Sequence, residues 1–243
     1  MKNFVFILFA VLSAACSPDT FTDCVGKEGR LTVKQYEVDD FLNLYIDEGV
    51  TVQLVQDTVA YLDVKAGEHI IPNFDFYTQS DTLFIKNKLS CSLGYTKPIT
   101  VDVHFKNLNK IYSKTQFKVA SEAYLNLDHL EIHQGLYGNN ASGDFDLKIN
   151  CNTLLLNFNT NSYFKLIGRV NYFGVYNWGG GTRIEADALV CDKIEVLHRG
   201  YNHFYLHATD EIFGNIYGIG NVYLTGNPAI KNVTTHYSGR LIE

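Results

Sequence analysis

The sequence has 243 residues, of which 46% are hydrophobic, and its formal net charge is −6. This length and apolar content suffice for a continuous core in one domain or in two closely joined parts. The acidic balance argues against a nucleic-acid partner, because phosphates require a basic surface. The sequence contains 16 Tyr and 16 Phe but only one Met and four Pro, and few segments have the apolar spacing of a helix. We therefore predict an all-β fold. The composition requires no cofactor, and we predict none.

The first 16 residues have the pattern of an export signal. Lys2 precedes a nine-residue apolar run, Phe4–Leu12, and small residues follow as far as Cys16. The run is shorter than the roughly 20 residues that span a bilayer, and it is typical of a signal peptide over 1–15. The end of the segment, L-S-A-A-C, resembles a bacterial lipoprotein signal, whose cysteine becomes the lipidated first residue. The alternative is an ordinary cleaved signal followed by a chance cysteine.

The lipoprotein interpretation predicts how the rest of the chain is organised. Residues 16–30 are a tether that carries lipid, such as palmitate, on Cys16 and attaches the protein to a membrane. The predicted location is the cell envelope, at the outer membrane, facing either the periplasm or the exterior. Removal of residues 1–15 takes away Lys2 and moves the net charge from −6 to −7. Residues 31–243 form a single domain, with an irregular part over 31–109 and regular coils over 110–243.

The part over 31–109 shows the alternation of apolar and polar residues that indicates half-buried strands. The segment from Ala66 to Asn73 is the best candidate for a short helical turn, and Pro72 is expected to stop it. The predicted strands include Leu31–Val33, Phe41–Ile46, Val50–Val55, Tyr61–Val64, Thr82–Ile85 and Ile99–Phe105.

The remainder of the chain repeats an apolar pattern about every 20 residues. The repeat predicts a parallel β-helix-like solenoid, because a unit that cannot bury its own apolar side must stack on its neighbours. A first coil begins at Ile111, with Phe117 and Val119 inward, and an insertion is expected at about 135–140. The inward anchors are Phe145, Phe164, Ile184, Phe204, Val222 and Leu241, and the residues two positions after the first five are Leu147, Leu166, Ala186, Leu206 and Leu224.

The positions between these anchors are predicted to face outward and to form ladders about 4.8 Å apart along the stack. Two interpretations remain open: a surface that holds its own coils together, or a polar and aromatic face that binds a glycan or another protein. Trp178 lies beside three glycines and is either a turn plug, which we favour, or an exposed aromatic. The candidate binding face consists of Tyr163, Arg183, His203, Tyr205, Tyr223 and Trp178.

The cysteines can be tested against this repeat. Cys151 and Cys191 share a phase but lie two coils apart, which places their Cα atoms roughly 9–10 Å from each other. A disulfide requires less than about 7 Å, so both are predicted to be free thiols. Cys24 and Cys91 remain as the candidate disulfide, which would join the tether to the turn before Pro98.

Solenoids of this shape can be enzymes, and the sequence contains candidate catalytic and metal-binding residues. Asp187 with His207, and Arg183 with His203, fall on adjacent coils and could act as acid and base. No carboxylate pair stands out. His129 and His133 have a spacing that suits a metal only on a helix, and their surroundings alternate like a strand, so we predict no metal site. A binding module without catalytic activity is the main hypothesis, and a polysaccharide lyase or hydrolase is the alternative.

With these residues in place, the chain resembles the putative auto-transporter adhesin, head GIN domain family, whose members are exported and often lipid-anchored proteins of Gram-negative bacteria. The resemblance implies a parallel β-helix-like fold, shaped like pectin-lyase solenoids but without their catalytic residues. It implies adhesion or another surface role, and it favours the Cys24–Cys91 pairing. The matching motifs are Asp23-Cys24 with Gly26, Phe41 through Gly49–Val52, Ala66–Glu68 with Ile71-Pro72, Ser90-Cys91 followed by Lys97–Val101, and Gly218–Tyr223 with Gly226–Pro228.

Overall fold

The computed structural model describes residues 28–88, 98–136 and 141–243. The predicted signal peptide, Cys16, Cys24 and Cys91 lie outside these residues. The strands are β1 (Leu31–Glu37), β2 (Asn43–Ile46), β3 (Val50–Gln56), β4 (Tyr61–Gly67), β5 (Phe74–Gln79), β6 (Thr82–Asn87), β7 (Ile99–Phe105), β8 (Lys110–Ser113), β9 (Val119–Ala120), β10 (Leu125–Gln134), β11 (Phe145–Asn159), β12 (Tyr163–Gly179), β13 (Arg183–His198), β14 (Phe204–Ile216), β15 (Val222–Thr225), β16 (Ile230–Thr235) and β17 (Leu241–Ile242).

The strands from β8 onward form a parallel β-solenoid in which each coil pairs with the next. The predicted anchor column is confirmed, since the strand pairing places its six members in one row from Phe145 to Leu241. The residues two positions later also pair at Leu147 with Leu166 and at Ala186 with Leu206. A shared interior accounts for this register, because a slip of one residue would turn every apolar side chain to solvent.

Each long strand continues through a corner of the coil, and its pairing with the next coil shifts there in β12 and β13. In β11 the buried positions are odd-numbered as far as Cys151 and even-numbered from Leu154 onward. The change of phase marks the bend between two faces of the coil. The second face carries its own inward column, in which Leu154 pairs with Phe173, Phe173 with Ile194, and Ile194 with Ile212.

The core is a single hydrophobic cluster that runs from Phe41 in the first part of the chain to Leu224 near its end. Its centre contains stacked aromatic rings, of which Phe145 and Phe164 lie 4.8 Å apart and almost parallel. Stacking of this kind contributes about 0.5–1.5 kcal/mol beyond the burial of area. The two parts of the chain therefore share one interior.

The part over 31–109 extends the same ladders and adds antiparallel strands to them. Strand β2 pairs in parallel with β6 and β8, and β3 pairs in parallel with β7 and β9. Strands β4 and β5 then pair antiparallel with β7 and β6, and β1 pairs antiparallel with β4. These reversals explain why the repeat is less regular here.

Two local predictions are corrected. The helical segment is a 3₁₀ helix of three residues, Ile71–Asn73, because β4 continues to Gly67. Pro72 lies inside its first turn, where a missing N–H costs nothing, and does not stop it. In the first coil Val119 pairs with Phe145 and is buried, whereas Phe117 is only half-buried, so Phe117 is not an inward anchor.

The insertion lies where it was predicted. Fifteen residue positions separate Leu130 from Phe145, whereas ten separate the equivalent Leu154 from Phe164. The five extra positions fall between the end of β10 and the start of β11. Residues 137–140 of that connection lie outside the described residues.

A corner that precedes β14 and β15 is packed so closely that only glycine fits. A Cβ atom on Gly218 would lie 2.0 Å from the carbonyl oxygen of Gly200. The neighbouring Gly220 meets the carbonyl oxygen of Asn202 at 1.9 Å in the same way. These glycines set the distance between successive coils at this corner.

We predict that Gly218→Ala destabilises the protein by about 1–3 kcal/mol, because the methyl group overlaps backbone that cannot rotate away. Gly179→Ala is the matched control, since its Cβ meets only the side chain of Asn159. The free energy of unfolding in urea measures both. Equal stabilities for the two variants would contradict the packing argument.

Candidate functional site

The structure brings together five of the six residues of the candidate binding face. Tyr163 pairs with Arg183, and Tyr205 pairs with Tyr223 on the next coil. Arg183 holds its guanidinium 4.5 Å from the centre of the Tyr205 ring, and the rings of Tyr205 and Tyr223 stack at 4.9 Å. We call these residues, with His203, the outward ladder.

The polar groups of the outward ladder find their partners within it. The Tyr163 hydroxyl donates a hydrogen bond to Glu185, and Arg183 Nε donates to the same carboxylate at 2.9 Å. These bonds lower the pKa of Glu185, while burial and the bond to Glu185 raise the pKa of Tyr163 to about 12. Tyr163 therefore remains a protonated donor and Glu185 a charged acceptor at physiological pH.

His203 continues the outward ladder towards the end of the chain. Its ring meets Tyr223 edge-on at 5.5 Å, and its Nδ1 accepts the backbone N–H of Asn221 at 3.0 Å. Asn221 Oδ1 then accepts the N–H of Arg240. Pairs between neighbouring strands contribute about 0.2–1 kcal/mol each, so the outward ladder stabilises the stack whatever else it does.

Trp178 does not belong to this ladder. It lies at a bulge where the pairing between β11 and β12 shifts, and 48% of its surface is exposed, so the predicted turn plug is wrong. Arg199 lies over its ring at 5.8 Å and over that of Tyr217 at 5.0 Å. Tyr217 stacks on His236 at 4.1 Å. These four residues form a row along one corner, one from each of four successive coils.

Further exposed side chains extend this row into a strip. Tyr201, Ile219 and Tyr237 are each more than half exposed. Sequence reasoning missed them together with Arg199, Tyr217 and His236. The available signal was the alternation of large residues with buried glycine, as in R-G-Y and Y-G-I-G. We call Trp178, Arg199, Tyr201, Tyr217, Ile219, His236 and Tyr237 the corner strip.

Beneath the corner strip lies a buried histidine. His198 is fully buried and stacks on Phe204 at 4.0 Å. Its Nε2 lies 2.9 Å from the carbonyl of Asn202, and its Nδ1 accepts the N–H of Gly200 at 3.3 Å. Burial lowers the pKa of His198 to about 4, so the ring is neutral and holds together the turn that runs from His198 to Asn202.

A second aromatic ladder runs along the first part of the chain, and sequence reasoning missed it as well. Its rings are paired with lysines, with Lys86 over Tyr77 at 4.9 Å and Lys114 over Tyr45 at 5.5 Å. Four aligned segments, N-L-Y-I, T-L-F-I, K-I-Y-S and E-I-H-Q, carry the signal. The ladder consists of Tyr77, Phe84, Tyr45, Tyr112 and His133.

The candidate catalytic pairs are not arranged for proton transfer. His207 Nδ1 lies 3.2 Å from the backbone carbonyl of Asp187 and does not contact its carboxylate. A bulge in β13 shifts the pairing between them, so that His207 lies opposite Val190. His129 and His133 lie on strand β10, as expected. Over the three described ranges, no group of three or more His, Cys, Asp or Glu residues could hold a metal ion.

The two buried cysteines lie two coils apart, as predicted, with Val170 between them in the same row. Both are free thiols. Burial raises the pKa of Cys151 to about 12 and that of Cys191 still further, which leaves neither as a thiolate nucleophile at neutral pH. They fill the core as small apolar residues.

The solenoid with its outward ladder and glycine corners is similar to known proteins. The model of the family described as putative auto-transporter adhesin, head GIN domain, matches residues 40–228. The chain belongs to this family. No curated protein sequence matches it. Among the residues described for this head GIN domain protein, there is no helix with the length and apolarity needed to cross a bilayer.

Solved structures share the head GIN domain fold at low sequence identity. A putative adhesin from Bacteroides fragilis NCTC 9343 has a TM-score of 0.77 at 21% identity, over 87% of this chain and 96% of that one. A putative lipid binding protein from Parabacteroides distasonis ATCC 8503 has a TM-score of 0.63 at 17% identity, over 88% and 98%. A putative adhesin from Parabacteroides merdae ATCC 43184 has a TM-score of 0.59 at 18% identity, over 88% and 97%.

The buried His198 generates a pH prediction. Its pKa is lowered from 6.5 to about 4, so between these pH values His198 is protonated in the unfolded chain and neutral in the folded protein. Stability should therefore fall as the pH drops from about 6.5 to 4, by on the order of 2–3 kcal/mol from this residue.

Urea unfolding at several pH values tests this expectation. The His198→Gln variant, which has no titrating ring, should lose less stability over that pH range than the wild type. His207→Gln is the control, because His207 is outside the buried network, and it should follow the wild type. Parallel pH profiles for the wild type and His198→Gln would refute the assignment.

Proposed function

We propose that this head GIN domain protein is a non-enzymatic binding module of the cell envelope with an adhesive role. The observation that carries the proposal is the outward ladder, a row of stacked aromatic and cationic side chains along successive coils of an adhesin-family fold. The ring faces are stacked on one another, so a rigid row of this kind presents ring edges and hydroxyl groups to a ligand at little cost in conformational entropy.

The proposed ligand is a glycan or another protein, and the proposed contact residues are those of the candidate face. Tyr205 and Tyr223 would supply ring edges and hydroxyl groups, while Arg183 and His203 would supply further donors beside them. Tyr163 would hold Glu185 in place. Trp178, which lies on the adjacent corner, would add an exposed ring. Nucleic acid is not among the proposed partners.

The attachment to the membrane is the second part of the proposal. The export signal and the L-S-A-A-C segment support lipidation of Cys16 and a position at the outer membrane. A Cys24–Cys91 disulfide would join the lipidated tether to the folded domain in an oxidising compartment. The tether would then leave the solenoid free to project from the membrane surface.

The alternative, a carbohydrate-active enzyme, gains no support from the geometry. A hydrolase or lyase of this kind needs a pair of groups that can exchange protons with the substrate. The contact between His207 and Asp187 involves a backbone carbonyl, and His203 is engaged with Asn221 and Tyr223. The proposed function is therefore binding without turnover.

The lipidation proposal is tested by mass spectrometry of the mature protein. The expected mature chain begins at Cys16 and carries acyl groups on that residue, whereas Cys16→Ser should abolish both acylation and recovery in the membrane fraction. Added protease on intact cells then distinguishes an outward from a periplasmic position. A mature chain that begins elsewhere would rule out the anchor.

The binding face is tested on arrays of glycans and of envelope and host-surface proteins. Tyr205→Ala with Tyr223→Ala should weaken binding of the ligand detected with the wild type by about tenfold, because two stacked rings are lost. Tyr124→Ala is the matched control, since Tyr124 is an exposed tyrosine outside the candidate face. Unchanged binding by the double variant, with its fold intact by circular dichroism, would remove the face from the proposal.

A further inference from the structure

The charge of the chain is unevenly distributed, and most of the corner strip lies in a part with few carboxylates. The protein carries 26 acidic residues, yet between Glu195 and Glu243 only Asp210 and Glu211 are acidic. The same stretch carries Arg199, Lys231 and Arg240, together with four histidines. Three basic and two acidic residues lie strictly between Glu195 and Glu243, so this stretch is close to neutral within an acidic protein, and it holds most of the corner strip.

Arg199 is the centre of the corner strip and differs from Arg169 and Arg183, which pair with carboxylates. Arg169 pairs with Asp192 at 2.6 Å, and Arg183 pairs with Glu185 at 2.9 Å. Arg199 has no carboxylate partner among the residues that the structure describes. Its guanidinium is held instead between the rings of Trp178 and Tyr217. A fixed and unneutralised guanidinium is suited to bidentate contact with a carboxylate or a sulfate.

The exposed rings around Arg199 define the shape of the ligand that would fit. Trp178, Tyr201, Tyr217 and Tyr237 are each at least 40% exposed and follow one another from coil to coil. Coils are stacked about 4.8 Å apart, so the rings form a narrow row along the solenoid axis. The glycines beneath them, such as Gly218 against Gly200, leave no room for the row to collapse inward. An extended chain with flat, partly apolar units matches this row.

We propose that the corner strip binds an acidic polysaccharide, one that carries carboxylate or sulfate groups, along the axis of the solenoid. Arg199 would contact an acidic group, and the exposed rings of Trp178 and Tyr201 would pack against the sugar faces. Tyr217, whose ring lies between Arg199 and His236, would hold the guanidinium in place. His236, which stacks on Tyr217 and lies 2.8 Å from Asn215 Oδ1 through its Nε2, would support the end of the row. The inference rests on the proposed binding role, but it uses a surface that shares only Trp178 with the candidate face.

The test uses the folded mature protein and measures its affinity for polygalacturonate, dextran sulfate and neutral dextran by biolayer interferometry. We expect binding to at least one of the acidic polymers and none to dextran, with an affinity that falls as salt is raised. Arg199→Gln should weaken that binding by about tenfold, since a charge-assisted contact is lost. Tyr217→Ala should weaken it similarly, and Arg199→Lys should restore only part of it.

Arg169→Gln is the matched control, because Arg169 is an exposed arginine that already pairs with Asp192. It should bind like the wild type. Equal losses for Arg169→Gln and Arg199→Gln would reduce the effect to general electrostatics and overturn the site. Failure of the wild type to bind either acidic polymer, equal binding to dextran, or preferential binding to vesicles of anionic phospholipid would also overturn it.

The outcomes separate this inference from the proposed function. If Tyr205→Ala with Tyr223→Ala abolishes binding of a ligand while Arg199→Gln has no effect on any polymer, the acidic-polysaccharide site is wrong and the binding module stands. If the wild type binds nothing on the glycan and protein arrays either, both fail. Thermal unfolding of each variant verifies that lost binding does not reflect a lost fold.

Discussion

The structure depends on one constraint, which is that each coil must stack on the next in a single register. Backbone hydrogen bonds between parallel strands hold neighbouring residues about 4.8 Å apart, so a side chain meets its counterpart above and below at every position. The inward column from Phe145 to Leu241 meets this requirement with apolar side chains. The outward ladder meets it with pairs that attract one another, such as Arg183 over Tyr205. Stability is therefore a sum over interfaces between neighbouring coils.

The same constraint determines the chemistry of the corners. Backbone that turns inside a stack must still satisfy its polar groups, because an unpaired buried N–H or carbonyl costs about 1–3 kcal/mol. Gly218 and Gly200 allow successive turns to approach, and the neutral His198 connects the N–H of Gly200 to the carbonyl of Asn202 within one turn. A ring that must accept at Nδ1 cannot be protonated there, so the corner and the neutral state of His198 require each other.

The sequence predicted those features that repeat, and it failed where the repeat is broken. The solenoid, its anchors, the outward ladder from Tyr163 to Tyr223 and the separation of Cys151 from Cys191 follow from a period of about 20 residues. The antiparallel strands β1, β4 and β5 have the same alternation as parallel ones, so their direction could not be read from it. Trp178 was placed inside a turn because the bulge that exposes it depends on a shift in pairing with β11. Arg199 and Tyr217 lie just after the ends of β13 and β14, outside the strand positions whose outward direction the repeat predicts.

The outward ladder and the corner strip differ in whether their charged side chains already have partners of opposite charge. In the outward ladder each charge already has a partner, since Glu185 accepts from Tyr163 and Arg183, and a ligand would have to compete with those bonds. In the corner strip Arg199 is stabilised by ring faces, which attract a cation but leave its donors free. Cation–π support is worth about 0.5–1 kcal/mol at an exposed site, enough to orient a guanidinium but too little to neutralise it. A solenoid can thus keep its coils together with one column of side chains and hold another column ready for an anionic ligand. The column that stabilises the stack and the column proposed to bind the ligand are separated by a single turn of the backbone, which in one coil runs from Arg199 to His203.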